Sequence, residues 1–260
     1  MRSRVWGWPV VIAWCLPLLV VLCLAAETKA ESVTLQVTPD VMEINSFYQG
    51  HNVTVTGTLP AGLGAVVEVV GPTAEEHLRR KGRRGPLWMN VGTITVDGAP
   101  FLYLVLSSAA DLLSGKLINA AWGFPALIQR ISLSGDVQDN EKDKFKQQFL
   151  ELKESEQLYG AWPGGLKVSP ADNGQQKVTG TFWLPSNIRP DTYKVCLTAV
   201  RDGQAADRVC TDLPVQMVGF PAFLMTLAYQ HGALYGILAV VIAIVVGFVM
   251  GYLFKGGGGH

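Results

Sequence analysis

The chain has 260 residues, with 21 Lys and Arg against 21 Asp and Glu, so its formal net charge is zero. That balance excludes the broad cationic field on which nucleic-acid binding depends. Charged residues make up only 16% of the chain and apolar ones 49%, a proportion that points to segments in contact with lipid.

The first such segment is residues 1–30. Arg2 and Arg4 make a short positive start, an apolar stretch runs from about Val10 to Ala26, and small residues close it. This reads as an export signal cleaved after Ala26 or Ala30; an uncleaved first anchor is the alternative. Leu22 stands before Cys23, where a lipoprotein signal needs a small residue. A signal of this kind keeps its positive end in the cytoplasm and carries the downstream chain across the membrane.

Residues 31–218 read as an exported, mainly β domain. The pattern fits an immunoglobulin-like β-sandwich of roughly eight strands with a helical insertion at about 107–160. Val33, Leu35 and Val37 alternate, and Met42–Ile44 comes next. Val53–Thr58 is β-branched, which suits a pleated surface, and Ala65–Val70 is a continuous apolar run as in a buried strand. Leu87–Val96 and Pro100–Leu106 read as two more strands joined by Asp97-Gly98. Between these early strands lies the main charge cluster, Arg79, Arg80, Lys81, Arg83 and Arg84, read as a basic loop at 79–84. It is a candidate contact for anionic headgroups, an acidic partner or an oxyanion; a solvated loop near Glu75 and Glu76 is the bland alternative.

The period then changes. Ser107 or Ser108 is placed to cap a short helix, Ala109 to Leu113, and Asp139 or Asn140 a longer one to about Tyr159. In the longer one Phe145, Phe149 and Leu152 fall on one stripe. Gly160–Gly165 reads as a turn, because it lacks the strand–loop–helix setting of a phosphate cradle. Strand signals resume at Leu166–Val168, Val178–Leu184, Tyr193–Val200, Arg208–Leu213 and Val215–Val218. Pro190-Asp191-Thr192-Tyr193 resembles the corner where a Tyr hydroxyl ties back to the preceding loop of a sandwich.

Cys196 and Cys210 flank Arg201-Asp202-Gly203-Gln204, a hairpin signal. A three-residue loop centred on Gly203 sets them opposite each other, on the face shared by Lys194, Thr198, Arg208 and Asp212. The expectation is a cross-strand disulfide outside the core, two free thiols being the alternative.

Residues 219–231 form a juxtamembrane linker: either an interfacial helix with Phe220, Phe223, Leu224 and Leu227 on one face, or the upper end of a membrane span. Residues 232–254 are uncharged and apolar, ~35 Å long as a helix against a hydrocarbon core of ~30 Å. A buried core helix of a soluble protein is the weaker alternative. Ala239, Ala243, Gly247 and Gly251 recur every fourth residue, a row where another helix can approach closely. Residues 255–260 are left as a short cytoplasmic tail.

The chain also resembles a family of uncharacterised bacterial transmembrane proteins first noted in alphaproteobacteria. The resemblance spans most of residues 31–255. It rests on Ile44-Asn45-Ser46-Phe47-Tyr48-Gln49-Gly50, Val69-Val70-Gly71-Pro72 with the basic Arg79–Lys81, and Leu87-Trp88-Met89-Asn90. Leu158-Tyr159, Thr192-Tyr193-Lys194-Val195 with Arg201-Asp202-Gly203, and Val218-Gly219-Phe220 leading to Leu234-Tyr235-Gly236 complete it. The Cys196/Cys210 pair departs from the family pattern. The resemblance implies a signal, an exported domain and one C-terminal span. Proximity of similar proteins to sulfite-exporter-type permeases implies a transport-accessory role.

His51, His77, His231 and His260 stand singly, and no nucleophile–base set, metal-ligand spacing or phosphate loop is visible. No enzymatic activity and no cofactor are therefore expected. The expected protein is a single-pass component of the cytoplasmic membrane that binds an integral membrane partner, or itself, through the last helix. The alternative is an extracytoplasmic anion-binding or sensing module using the basic loop, for an oxyanion such as sulfite.

Overall fold

The structure is a computed structural model that describes residues 33–114 and 121–254. The expected signal at 1–30 and tail at 255–260 lie outside the described residues.

The described chain is mainly β. Its strands are β1 (Thr34–Thr38), β2 (Met42–Ile44), β3 (His51–Pro60), β4 (Gly64–Val70), β5 (Glu76–Arg84), β6 (Leu87–Asp97) and β7 (Tyr103–Ser107). Helix α1 (Gly123–Arg130), β8 (Ser132–Gly135) and α2 (Lys142–Ser155) come after them. Then come β9 (Tyr159–Trp162), β10 (Lys167–Val168), β11 (Gln175–Leu184), β12 (Asp191–Arg201) and β13 (Gln204–Met217). Helices α3 (Phe220–Gln230) and α4 (Gly232–Phe254) end it.

The strands form three sheets, in the orders β1-β3-β11-β10, β2-β13-β12-β4-β7-β9 and β5-β6-β8. The first two pack on each other through small-residue gaps. A Cβ added at Gly57 of β3 would run into Leu197 of β12 and the Thr34 carbonyl, and one at Gly180 of β11 would meet Leu106 of β7 at 2.8 Å. Val55 and Leu59 from one sheet and Val67, Val195 and Leu197 from the other are buried in this layer.

The far face of the six-stranded sheet is covered as well. Tyr103 and Tyr159 rise from β7 and β9 and meet Phe124 of α1 and Phe149 of α2, with ring centroids 6.1–6.4 Å apart. Burial on both faces explains why Ala65–Val69 reads as a continuous apolar run broken only by Glu68. Glu68 is buried with its carboxylate satisfied: the Tyr103 hydroxyl donates to it, and Arg208 Nη2 approaches at 3.2 Å. Burial and the neighbouring Glu68 carboxylate push the Tyr103 phenol far above its ordinary range, so Tyr103 stays a donor.

Several sequence expectations need correction. The described residues hold thirteen strands where roughly eight were expected. The segment 79–84 is strand, not loop: Arg79 to Arg84 lie in β5, paired residue by residue with β6. Tertiary pairing overrides the poor strand propensity of a Lys/Arg run. The region 107–160 is not purely helical, since β8 extends the hairpin sheet and β9 pairs with β7 in parallel. Its first helix is a single 3-10 turn, Ala110–Leu113, behind Ala109 and without a side-chain cap. Its last helix starts at Lys142 and ends at Ser155, short of Tyr159. Arg208–Leu213 and Val215–Met217 belong to one strand that runs through Pro214, and Val218 lies beyond its end.

The sheet register fixes where the last helices hang. Val70 at the end of β4 lies beside Tyr103 and Lys194, and Lys194 lies beside Asp212 near the end of β13. The end of β4 and the beginnings of β7 and β12 therefore share one end of the sheet with the end of β13. From β13 the chain turns at Gly219 (φ 69°) into α3, with Pro221 in its first turn. His231 breaks the helix before α4 begins.

Candidate functional site

Helix α4 is the most exposed apolar element of the described chain. Its 23 residues carry no charge, and none of its length is buried by the rest of the protein. In water that much uncovered Ile, Val, Leu and Phe is unfavourable at ~25 cal/mol per Å2 of apolar surface. Lipid removes the cost. Ala239, Ala243, Gly247 and Gly251 form a shallow lane along the helix, and a Cβ added at Gly247 or Gly251 would meet nothing within 4 Å. The lane is open to a neighbouring helix.

The basic cluster lies on the β5–β6 hairpin and does not act as a unit. Arg80 is engaged. Nη2 of its guanidinium donates to Glu141 Oε1 at 3.2 Å, Nη1 donates to the Asp136 carbonyl at 3.3 Å and lies within ion-pair distance of Glu141 Oε2, and the group stands 5.3 Å from the Phe145 ring centre. Arg79, Lys81, Arg83 and Arg84 remain exposed. Arg79, Arg80 and Lys81 rim a pocket of about 370 Å3 between β5 and α2, floored by Ile94, Phe145 and Phe149.

A bulge between Arg80 and Lys81 shifts the register beyond them. Farther out, Arg83 faces Trp88 and Arg84 faces Leu87. Trp88 is 73% exposed, Leu87 65% and Met89 49%. Sequence reasoning missed this tip. The signal was present, since three successive large apolar residues in a strand point to both of its faces.

At the base of the same hairpin, Lys153 of α2 is buried and meets Glu76 at 2.6 Å, with the Phe101 and Phe149 rings about it. The Arg189 guanidinium lies 4.4 Å from the Phe101 ring centre. The cleft here, about 480 Å3, carries Glu76 and Lys153 in a mutually satisfied pair, so its charge is largely spent within the protein. Next to it the Tyr193 hydroxyl donates to the Arg189 carbonyl at 2.9 Å and accepts the Arg189 N–H at 3.3 Å. Burial pushes the Tyr193 phenol up to about 12.

Cys196 and Cys210 are directly opposite in β12 and β13 and joined as a disulfide. Two details differ from the sequence reading. The turn is the two-residue Asp202-Gly203, both with positive φ, and a register shift after Ala199 restores the cysteine alignment. The bond is also not wholly outside the core. Cys210 is exposed, but Cys196 is only 3% exposed, in a row with the buried Glu68 and Thr198. Among the described residues no group of three or more His, Cys, Asp or Glu is arranged to hold a metal ion.

A domain at one end of a bare apolar helix is the architecture of an anchored protein. The family model described as "Putative transmembrane protein (Alph_Pro_TM)" matches residues 32–256. The chain belongs to this family. The match covers the whole β domain, the linker helix α3 and the anchor α4 of this Alph_Pro_TM protein. A search of curated proteins finds none that matches it.

Proposed function

We propose that this Alph_Pro_TM protein is a non-enzymatic, single-pass accessory protein of the cytoplasmic membrane. In this reading residues 1–30 are removed after export, the β domain works on the extracytoplasmic side, and residues 255–260 remain in the cytoplasm. Helix α4 then docks along a helix of a larger integral membrane protein such as a permease. The observation that carries the reading is the uncovered α4, with Ala239, Ala243, Gly247 and Gly251 as its closest-approach lane. The domain reads as an immunoglobulin-like sandwich. The two packed sheets and the Tyr193 hydroxyl tied to Arg189 support that assignment.

Purification in mild detergent tests the function. A permease recovered in fixed stoichiometry supports the accessory role. Recovery of the chain alone, at every detergent that preserves the membrane's other complexes, contradicts it.

A second reading is an anion sensor, favoured by the Arg79, Arg80 and Lys81 rim above the 370 Å3 pocket. Its readout is thermal stabilisation by sulfite or sulfate. Against a full site stands the Arg80–Glu141 pair, which already neutralises one of the three cations.

A further inference from the structure

The hairpin formed by β5 and β6 projects beyond its supporting strand. β8 pairs with β6 only from Ile94 to Asp97, so outward of Ile94 the ribbon is two strands wide. From Arg83 to Asn90 every residue is exposed. A two-stranded ribbon of this kind gains little stability in water by itself, and this one ends in Leu87, Trp88 and Met89.

Both faces of the tip have the same chemistry. Arg83 and Trp88 are directly paired and share one face. Arg84 and Leu87 are paired on the other, together with Met89 opposite Gly82. A protein surface covers one face of a ribbon, whereas a lipid interface surrounds a tip from all sides. Each face offers an apolar body beside a cation, the combination that favours the headgroup level of an anionic bilayer.

The base of the hairpin lies near the anchor. The hairpin is inserted between β4 and β7, at the sheet end where β13 leads into α3 and the anchor. Pro190 and Asp191 line both the crevice under α3 and the crevice at the hairpin base, which places the two next to each other.

We propose that the β5–β6 tip, with Leu87, Trp88 and Met89 beside Arg83 and Arg84, docks on the anionic lipid surface of the membrane that holds α4. The inference rests on the anchor alone and stands whether or not α4 binds a permease. The domain then touches its membrane at two points, α3–α4 and the hairpin tip, and is held at a set orientation.

The test uses the full-length protein in nanodiscs whose acyl chains carry bromine, which quenches nearby tryptophan. The signal is the difference between the wild type and Trp88→Phe, so the other tryptophans cancel. Discs containing phosphatidylglycerol give Trp88-dependent quenching, and purely zwitterionic discs give much less. Arg83→Gln and Arg84→Gln each lower the docked-to-free ratio about fivefold, as ~1 kcal/mol per cation at an anionic surface implies. These positions are exposed, and an unchanged urea midpoint verifies that the variants fold. Absence of Trp88-dependent quenching in anionic discs overturns the proposal, as does equal quenching in zwitterionic ones. Slowed amide exchange at 83–90 that requires an added protein, and not lipid, reassigns the tip to a protein partner and overturns it too.

Discussion

Removing the Cys196–Cys210 bond isolates a single contribution to the stability of the β domain. The bond spans 14 residues of chain. A loop of that size costs the unfolded chain roughly 3 kcal/mol of lost entropy when closed. The folded hairpin does not depend on it, because β12 is held by β13 on one side and β4 on the other. The loss therefore falls almost wholly on the unfolded state. Alanine is the informative replacement at both positions, since serine would bury a hydroxyl at Cys196. Losing the Cys196 sulfur adds ~1 kcal/mol of packing at most. With a urea slope of about 1–3 kcal/mol/M, the midpoint falls by about 1–3 M. The assay is tryptophan fluorescence in urea on the full-length protein in nanodiscs, with the wild type run oxidised and reduced. The reduced wild type and Cys196→Ala/Cys210→Ala should agree within ~1 kcal/mol. A midpoint that does not move on verified reduction refutes the reasoning, and so do two reactive thiols in the unreduced protein.

Two further outcomes come from the packing and the phenols. Gly57→Ala drives a methyl into Leu197 and the Thr34 carbonyl, and is expected to destabilise the domain by ~1–3 kcal/mol in the same urea assay; a neutral result contradicts face-to-face packing of the two sheets at that point. Tyr193 has its folded pKa raised to about 12 from 10.0, chiefly by burial. Its contribution is therefore complete below pH 10 and is lost as pH rises toward 12, because the unfolded chain releases that proton first. Tyr193→Phe lowers stability at neutral pH by ~1 kcal/mol, the lost hydroxyl bonds, and flattens the alkaline decline; an unchanged alkaline slope contradicts the assignment.

Legibility in the sequence divides along physical lines. The alternation of Tyr193, Val195 and Leu197 marks a strand because its inner face is apolar along most of its length, and the same holds for Val53 and Val55. The anchor is plain because lipid requires an uninterrupted apolar run, a constraint that needs no tertiary information. β5 is illegible because its charge pattern is that of a solvated loop. Only its pairing with β6, and Glu141, distant in sequence, against Arg80, make a strand of it. β8 and β9 have four residues each, too few to show a period. Burial of Cys196 is hidden for a related reason. Its neighbours Lys194 and Thr198 look like a solvent face, and the residue beside it in the next strand is Glu68, far away in sequence and bonded by Arg208 of the same hairpin. The tip of Leu87, Trp88 and Met89 reads as an ordinary strand start until its lack of a cover is seen.

Most rests on α4 being both the anchor and a docking face. Gly247→Ile with Gly251→Ile fills the lane while leaving the helix as apolar as before, so membrane insertion and the urea midpoint of the β domain are expected to stay unchanged. Mild-detergent co-purification of this variant beside the wild type is the decisive measurement. If α4 docks through its lane, the wild type retains its membrane partner and the variant loses it at equal expression. Equal recovery of the partner by both would contradict a docking role for this face.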